Sequence, residues 1–308
     1  VGDAKLTTTI GRQEIKKGGG WLILDGTPLD GSRTLYFDAA RFQLELPGKK
    51  SLDLMYIYQQ PATKWLPRIS SQQFLTSEQT EQGVVAWYTD KNKPLGYLDQ
   101  ADLYFIYKQD EAVAANGNNS DIYTFGASGD KTFDKNWSLH LEVAGQFGKK
   151  NNRRLCALGS NNRLTYRCND ANNTKFHLEY AYRSGDNPNT RENEGFDTLW
   201  GRFAHVSEVY LYTMASETRL GDFTNLHRVG LKWETTCSPN LNFCGGYQLL
   251  FAPRNTFQGR TGFSNNGNFR GQLIQGRMNY KFNEHVSCHV MCEYFAPGNY
   301  YDNTRNDP

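Results

Sequence analysis

Two histidine–carboxylate pairs are the residues in this sequence best suited to acid–base or metal chemistry. His140 and Glu142 are separated by one residue, as are His177 and Glu179. Residues two apart share one face of an extended strand, so each pair could share a proton or hold a metal ion. No Ser or Cys nucleophile stands with either pair in a recognisable motif, as a hydrolase would require. The sequence therefore favours a protein that is not an enzyme and carries no metal or cofactor.

The cysteines and one acidic stretch also lack a specific signature. No cysteine pair has the Cys-x-x-Cys spacing of a zinc ribbon or redox dithiol. Cys288 and Cys292 are about 13 Å apart along an extended strand, too far to bridge each other, so we expect them to be reduced and buried in the apolar belt or paired with a neighbouring chain. The stretch 186–197 lacks the fixed spacing of an EF-hand and is predicted to be a solvated loop. The six cysteines are Cys156, Cys168, Cys237, Cys244, Cys288 and Cys292.

Many charged residues fall on one side of segments in which polar and apolar residues alternate. A charge inside a membrane span is costly unless it faces water or an opposite charge, so these residues would line a water-filled or ion-paired interior. A cationic excess there would favour anions. The alternative is that mutual salt bridges merely fill the interior. The predicted lining residues are Arg41, Lys108, Glu142, Arg163, Arg167, Glu179, Arg183, Arg228, Lys232, Arg277, Lys281 and Glu293, with further carboxylates at Glu45, Asp53 and Asp102.

The segments that must position these charges alternate with a period of two, which predicts β-strands. In 137–147, Trp137, Leu139, Leu141, Val143 and Phe147 share one face and polar residues share the other. Strands near ten residues long with one apolar face fit a bilayer crossing better than a soluble sandwich. Thirteen strands are predicted, near 4–15, 33–46, 51–60, 83–90, 101–109, 120–129, 136–148, 162–168, 174–184, 225–236, 240–252, 270–282 and 285–297.

Composition agrees with a transmembrane β-barrel and excludes several other classes. Apolar residues make up 38% of the 308 residues, yet the chain holds 18 Tyr, 18 Phe and 6 Trp. Aromatic residues collect at the two headgroup levels of a barrel, and no apolar run is long enough for a transmembrane helix. The net charge of +2 and the lack of a basic stretch interleaved with aromatics argue against nucleic-acid binding.

The predicted connections alternate between long and short along most of the chain. Segments 16–32, 61–82, 185–224 and 253–269 are long, whereas 47–50, 169–174, 237–240 and 283–284 are short. Outer-membrane barrels have short turns at one end and long loops at the other, while a soluble sandwich has no reason to sort its connections in this way. We therefore expect one antiparallel barrel domain over residues 1–308.

The predicted strand count bears on completeness. A barrel needs an even number of strands, because an open edge in lipid leaves unpaired backbone groups. Thirteen strands also place the two chain ends on opposite sides of the membrane. We therefore expect further strands beyond this sequence, including a final one after residue 308.

Six stretches in order along the chain resemble the alginate export family of outer-membrane barrels. The resemblance implies an eighteen-stranded barrel and, as in the exporter for which the family is named, an arginine-rich lumen that conducts an anionic uronate polysaccharide. It implies lumen positions for Arg41, Arg183 and Arg277, whereas alternation places Arg12 on the outward face. The stretches are Gly11-Arg12-Gln13, Phe37-Asp38-Ala39-Ala40-Arg41, and the segments 142–148, 180–186, 196–202 and 293–301.

Together these observations predict a bacterial outer-membrane pore that passes anionic or polar solutes by passive diffusion, with an anionic polysaccharide among the candidates. Its partners would be membrane lipid and a small or polymeric anionic solute. The alternative is a structural barrel that sheathes or anchors a periplasmic or surface-layer protein. An open lumen would favour the pore, and a filled lumen would favour the structural barrel.

Overall fold

The computed structural model describes residues 4–25, 36–61, 78–115, 117–201, 207, 209–210, 217 and 223–302. Thirteen strands in these residues form one antiparallel sheet in which every strand pairs with its neighbours in sequence. The predicted fold class and strand number are therefore confirmed. Strands β1 and β13 each have one neighbour, so the described sheet is open. The strands are β1 (Lys5–Gln13), β2 (Phe37–Leu46), β3 (Lys50–Gln59), β4 (Gln79–Asp90), β5 (Gln100–Ala112), β6 (Ser120–Thr132), β7 (Trp137–Lys150), β8 (Arg153–Arg167), β9 (Lys175–Arg183), β10 (Leu226–Ser238), β11 (Leu241–Phe251), β12 (Phe269–Lys281) and β13 (Ser287–Pro297).

The two faces of the sheet differ, as a period of two predicts. In β7, Leu141 and Val143 are exposed, whereas Glu142 and Ala144 are buried. Residues paired across an antiparallel ladder lie on the same face, so the register extends this division over all thirteen strands. We call the face that bears Leu141 the outer face and the face that bears Glu142 the inner face. Other exposed outer-face residues are Leu6, Ile10, Phe42, Leu54, Leu103, Phe125, Leu158, Leu178, Tyr180, Leu231, Ile274, Val290 and Tyr294.

Strand β8 begins nine residues earlier than the predicted strand 162–168. Its first half carries Leu155, Ala157 and Gly159 on the inner face, where they are buried, and Leu158 on the outer face. Because both faces are apolar here, the polar–apolar alternation that marks a half-buried strand is lost. The predicted start was therefore wrong, because this part of the inner face contacts protein rather than water.

The connections follow the predicted alternation except at two places, both at the end of the sheet that carries the long connections. Residues 113–119 join β5 to β6 and are no longer than the connections of the opposite end, and two residues, Asn151 and Asn152, join β7 to β8. Both have positive φ, of 51° and 64°, as the tight turns of two-residue hairpins require. We call this end the loop end and the opposite one the turn end. The turn end has the connections 47–49, 91–99, 133–136, 168–174, 239–240 and 282–286.

A 3-10 turn at Pro94–Gly96 interrupts the longest connection of the turn end. No helix in the described residues is long and apolar enough to cross a membrane. Residues 62–77 of the predicted long loop 61–82 lie outside the described residues, as do the first three residues of the predicted strand 33–46.

The outer face generates a prediction about folding into lipid. Leu178 lies in the middle of β9 on the outer face and is 51% exposed. We expect Leu178→Arg to reduce the free energy of unfolding by about 2–4 kcal/mol, because the new charge faces hydrocarbon. Urea titration of the full-length protein folded in lipid vesicles measures this change.

Gln43→Arg is the matched control, because Gln43 lies on the inner face opposite Asp53 in the register and the new charge gains a carboxylate neighbour. Equal losses of stability for the two variants would contradict the assignment of the two faces.

Candidate functional site

Two segments at the loop end fold back onto the inner face. Residues 14–25 leave β1, and residues 184–201 leave β9. Trp21, Leu22 and Ile23 from the first segment are buried, as are Phe196 and Trp200 from the second. Large apolar side chains in a connection are stabilised only if they find an apolar surface to cover. We call these two segments together the plug.

The two segments of the plug are joined to each other through backbone and rings. Ile23 and Trp200 form a parallel β-bridge, and the amide of Trp200 donates a hydrogen bond to the carbonyl of Leu22 at 3.1 Å. The rings of Trp21 and Phe196 stack with centroids 5.4 Å apart. The hydrogen bond between them pairs two backbone groups that the plug buries.

The wall of the sheet is shaped to receive these rings. Gly159 of β8 lies under the stacked pair, and a Cβ atom there would come within 2.8 Å of Phe196 and 2.9 Å of Trp21. Trp200 meets the edge of Phe37, with ring centroids 6.4 Å apart. The Nζ atom of Lys108 lies 5.7 Å from the Trp200 ring centroid, within the range of a cation–π contact. The plug thus packs against β2, β5 and β8.

A polar cluster of Gln146, Lys150 and Asp197, which we call the latch, fixes the second segment of the plug to β7. The side-chain amide of Gln146 donates a hydrogen bond to the carbonyl of Asp197 and accepts one from its amide, both at 2.7 Å. Lys150 forms an ion pair with the Asp197 carboxylate at 2.6 Å. Burial acts to raise the pKa of Asp197, but the ammonium groups of Lys150 and Lys108 outweigh it and lower the pKa below its usual value. Asp197 is therefore ionised, and its carboxylate keeps the ion pair with Lys150.

Beneath the first segment, an ion-paired cluster joins the plug to β2 and β3. Asp53 accepts hydrogen bonds from the guanidinium of Arg41, the shorter at 2.6 Å, and also contacts the ammonium of Lys17. Burial lowers the pKa of Lys17, although Asp53 opposes this effect. Arg41, a predicted lining residue, thus lies on the inner face in an ion pair with a carboxylate that it shares with Lys17.

Lys108, another predicted lining residue, is fully buried beneath the plug. Its Nζ atom lies 2.6 Å from Asp110 and 3.6 Å from Glu81. Both carboxylates were missed in the sequence because they lie just outside the predicted strands 101–109 and 83–90. Asp110 lies two residues after Lys108, and Glu81 lies two residues before Gly83. This spacing of two was the sequence signal that could have placed both carboxylates on the inner face.

Glu179 is the centre of a further ion-paired group, in which one carboxylate holds two cations. Arg228 and Lys232 form ion pairs with its carboxylate at 2.6 and 3.2 Å. Glu142 accepts a hydrogen bond from the hydroxyl of Tyr104 at 3.0 Å. These four predicted residues all lie on the inner face, and three of them are joined to one another.

Five predicted basic residues on the inner face have no ion pair within the described residues. Arg183 is buried, 2% exposed, and its Nε atom has no hydrogen-bond partner. Arg277 donates a hydrogen bond to the amide oxygen of Asn279 at 2.8 Å. The remaining three, Arg163, Arg167 and Lys281, lie toward the turn end. Glu293, the last predicted residue, accepts hydrogen bonds from the backbone of Val209 and the hydroxyl of Ser207.

Arg163 and Arg167 line a cavity of about 350 Å³ at the turn end, formed by β6 to β10. The inner face is not covered by the plug here. Both histidine–carboxylate pairs border this region, with His140 at 2.9 Å from Asp130 and 3.7 Å from Glu142. We call this cavity the turn-end pocket. Its other charged lining residues are Asp130, Lys131, Lys175 and Glu234, which the sequence analysis did not single out.

Other sequence expectations can now be placed. Arg12 lies on the outer face, as alternation predicted, and pairs with Asp38 at 2.8 Å. All six cysteines are free, and Cys288 and Cys292 are exposed. The segment 186–197 is not simply solvated, because Asp197 is buried in the latch. Within the described residues, no group of three or more His, Cys, Asp or Glu side chains is placed to hold a metal ion.

Comparison with known proteins agrees with this architecture. The chain is similar in structure to the outer-membrane porin OccK11 (OpdR) of Pseudomonas aeruginosa, with a TM-score of 0.60 and 13% sequence identity. The similarity covers 96% of this chain and 73% of the porin chain, and at this identity it concerns the fold alone. No curated protein matches the chain in sequence.

An antiparallel sheet with an apolar outer face, a charged inner face and a porin-like fold defines the chain as an outer-membrane β-barrel protein. The family model for alginate export matches residues 1–307. The chain therefore belongs to the alginate export family, as its six sequence stretches indicated. Family and fold are those of outer-membrane channels rather than of enzymes.

The contact at Gly159 generates a prediction about the plug. We expect Gly159→Val to displace both segments, because its side chain would overlap Trp21 and Phe196. Filling this space with protein atoms costs roughly 1–3 kcal/mol in overpacking. Limited trypsin digestion of the folded protein should then cleave at Lys16, Lys17 or Arg191 faster than in the unmodified protein.

Gly145→Val is the control, because a Cβ atom at Gly145 meets only the Phe147 ring, at 3.6 Å. Unchanged digestion of the Gly159→Val protein, with the barrel still folded, would mean that the plug does not depend on this contact.

Proposed function

We propose that this protein is a pore that passes anionic or polar solutes across the outer membrane by passive diffusion, an anionic polysaccharide among them. The observation that carries the proposal is the set of inner-face cations without a counter-charge. Arg163, Arg167, Arg277 and Lys281 have no ion pair within the described residues and are not covered by the plug. Cations that face water inside a pore attract anions and repel cations.

Ion pairing elsewhere on the inner face sharpens this argument. Arg41, Lys108, Arg228 and Lys232 are each paired with a carboxylate and contribute less net field than their number suggests, although Arg228 and Lys232 share the one carboxylate of Glu179. A count of charged residues alone would therefore overstate the cationic field near the plug and miss its concentration at the turn end. The uncompensated residues are the pore-lining positions that we propose to set selectivity.

The plug narrows the path at the loop end and would limit which solutes pass. Its packing is dense around Trp21, Phe196 and Trp200, but it is anchored by short segments rather than by a folded domain. The described residues of the plug lie against only part of the wall, on β2, β5, β7 and β8. We propose that solutes pass beside it.

A structural barrel that sheathes or anchors another protein is the second candidate. A filled lumen was the feature expected to favour it. The filling observed in the described residues comes from the chain's own segments 14–25 and 184–201 and from residues such as Tyr210 and Phe223 of the same connection, and it does not require a foreign polypeptide. A purified protein that folds in vesicles but gives no conductance in a planar bilayer would favour this candidate over the pore.

The proposed selectivity can be measured directly. In planar bilayers under a salt gradient, we expect the reversal potential of the full-length protein to show anion preference. Arg163→Glu combined with Arg167→Glu should weaken that preference or reverse it, because two uncompensated cations become two anions on one wall. The effect should shrink at high ionic strength, since screening shortens the range of the charges.

Arg12→Glu serves as the control, because Arg12 lies on the outer face and its charge does not face the pore. Cation preference in the unmodified protein would contradict the proposal.

A further inference from the structure

We propose that the connection 91–99 forms a binding site for an anionic phospholipid headgroup on the lipid-facing side of the turn end. The site faces the membrane rather than the pore, so it goes beyond the proposed function. Three apolar or aromatic side chains and three lysines form it. We call them together the outer patch: Leu95, Tyr97, Phe133, Lys91, Lys93 and Lys131.

The connection 91–99 folds toward the outer face of the sheet. Gly129 and Lys131 of β6 lie on that face by their register. A Cβ atom at Gly129 would come within 3.3 Å of the side chain of Leu98. Lys131 also borders the turn-end pocket, but its ammonium donates a hydrogen bond to the carbonyl of Tyr97 at 2.5 Å. Both contacts place the connection against the outer face, so it continues the surface that meets lipid.

The outer patch exposes large apolar side chains beside that surface. Leu95 is 77% exposed, and Tyr97 and Phe133 are each 59% exposed. A cluster of this kind marks a contact surface. Trp137 and Tyr166 lie on the outer face at the same end, with ring centroids 4.8 Å apart. Because aromatic side chains concentrate at the headgroup levels of a barrel, the outer patch lies beside the headgroups of the leaflet at the turn end.

Lysines give the outer patch a cationic surplus. Asp99 is the only carboxylate of the connection 91–99, and it accepts a hydrogen bond from the amide of Thr132 at 2.6 Å. This hydrogen bond, together with the ammonium groups of Lys131 and Lys93, holds the pKa of Asp99 below its usual range, so the carboxylate is ionised. The three lysines of the outer patch outnumber it by two, and none of them has a salt bridge within the described residues.

The basic charge is confined to one half of the turn end. The turn-end connections between β2 and β7 contain four lysines and two carboxylates, whereas those between β8 and β13 contain two carboxylates and neither lysine nor arginine. This distribution fits a local binding site better than a general attraction of the turn end to an anionic surface.

An anionic phospholipid has the two properties that the outer patch requires. The short turns of an outer-membrane barrel lie on its periplasmic side, so the outer patch lies beside the periplasmic leaflet. Lysine ammonium groups attract the phosphate of an anionic headgroup, while apolar side chains contact the glycerol and acyl region beneath it. An acidic protein would meet the turns from the periplasm and would not need apolar contacts on the lipid-facing side.

The test compares two phospholipids that differ only in their headgroup. Dipalmitoyl phosphatidylglycerol, which is anionic, and dipalmitoyl phosphatidylcholine, which is zwitterionic, are titrated into the full-length protein in detergent micelles, and native mass spectrometry counts the bound lipids. We expect the first phosphatidylglycerol to bind at least about fivefold more tightly than the first phosphatidylcholine, because each lysine near the headgroup adds to the attraction. Inorganic phosphate should not displace the lipid, since it lacks the acyl chains.

Two double variants separate the charge of the outer patch from its apolar side chains. Lys91→Gln with Lys93→Gln should bring the affinity for phosphatidylglycerol to within about twofold of that for phosphatidylcholine. Leu95→Ser with Tyr97→Ser should weaken the binding of both lipids about threefold or more, because both lose the same apolar contact. All four side chains are exposed, so both variants should fold normally, and heat-dependent gel mobility checks this.

Lys149→Gln combined with Arg254→Gln is the matched control. Both residues are exposed at the loop end, and neither has a salt bridge within the described residues. This variant removes the same charge as the lysine variant and should change the affinity for phosphatidylglycerol less than about twofold.

Equal affinity of the unmodified protein for the two phospholipids would overturn the proposal, and this is the result expected if the outer patch docks a protein instead. An unchanged preference in the lysine variant would overturn it as well, as would displacement of the lipid by inorganic phosphate. Unchanged binding of both lipids to the Leu95→Ser, Tyr97→Ser protein would show that the apolar side chains do not form the site. None of these measurements depends on conductance, so they test the lipid site separately from the pore.

Discussion

The structure depends on one constraint, which is that every backbone amide and carbonyl in hydrocarbon must find a partner within the protein. An unsatisfied group there costs several kcal/mol. The ladder from β1 to β13 satisfies it between each pair of neighbouring strands in the described residues. Once the chain is extended, side chains alternate between faces, and an apolar outer face forces the remaining residues inward. The crowding of charge on the inner face is thus a consequence of the same constraint that makes the sheet.

The plug then decides which of those charges must be paired. Where segments 14–25 and 184–201 exclude water, an isolated charge would carry a large desolvation cost, and Lys108 accordingly lies between two carboxylates. Arg183 is the buried exception. At the turn end, water reaches the inner face, so Arg163 and Arg167 can stay charged without a protein partner. The plug covers the inner face near the loop end but not at the turn end. This one difference explains both why the buried charges near the plug are paired and why the turn-end cations have no ion pair in the described residues.

The sequence alone predicted the features that follow from side chains alternating with a period of two. It predicted the all-β class, the thirteen strands and the facing of Leu141, Leu178 and Glu142, because alternation reports which side of a strand meets lipid. It failed for the first half of β8, because the plug makes the inner face apolar there as well. It also did not indicate that 14–25 folds inward, since a buried connection has no periodic signal of its own. Contacts made by irregular segments depend on the tertiary structure and leave no local pattern.

The same limit applies to the candidate site. The sequence identified Lys108 and Arg163 as inner-face cations, but it could not tell that the first is neutralised and the second is not. That distinction depends on Glu81 and Asp110, which lie at strand ends that local alternation places poorly. Selectivity in such a barrel cannot therefore be derived from a census of charges. It depends on which charged side chains the plug buries and pairs. In this protein, the turn end is then the part of the inner face where the electrostatic attraction for an anion is strongest.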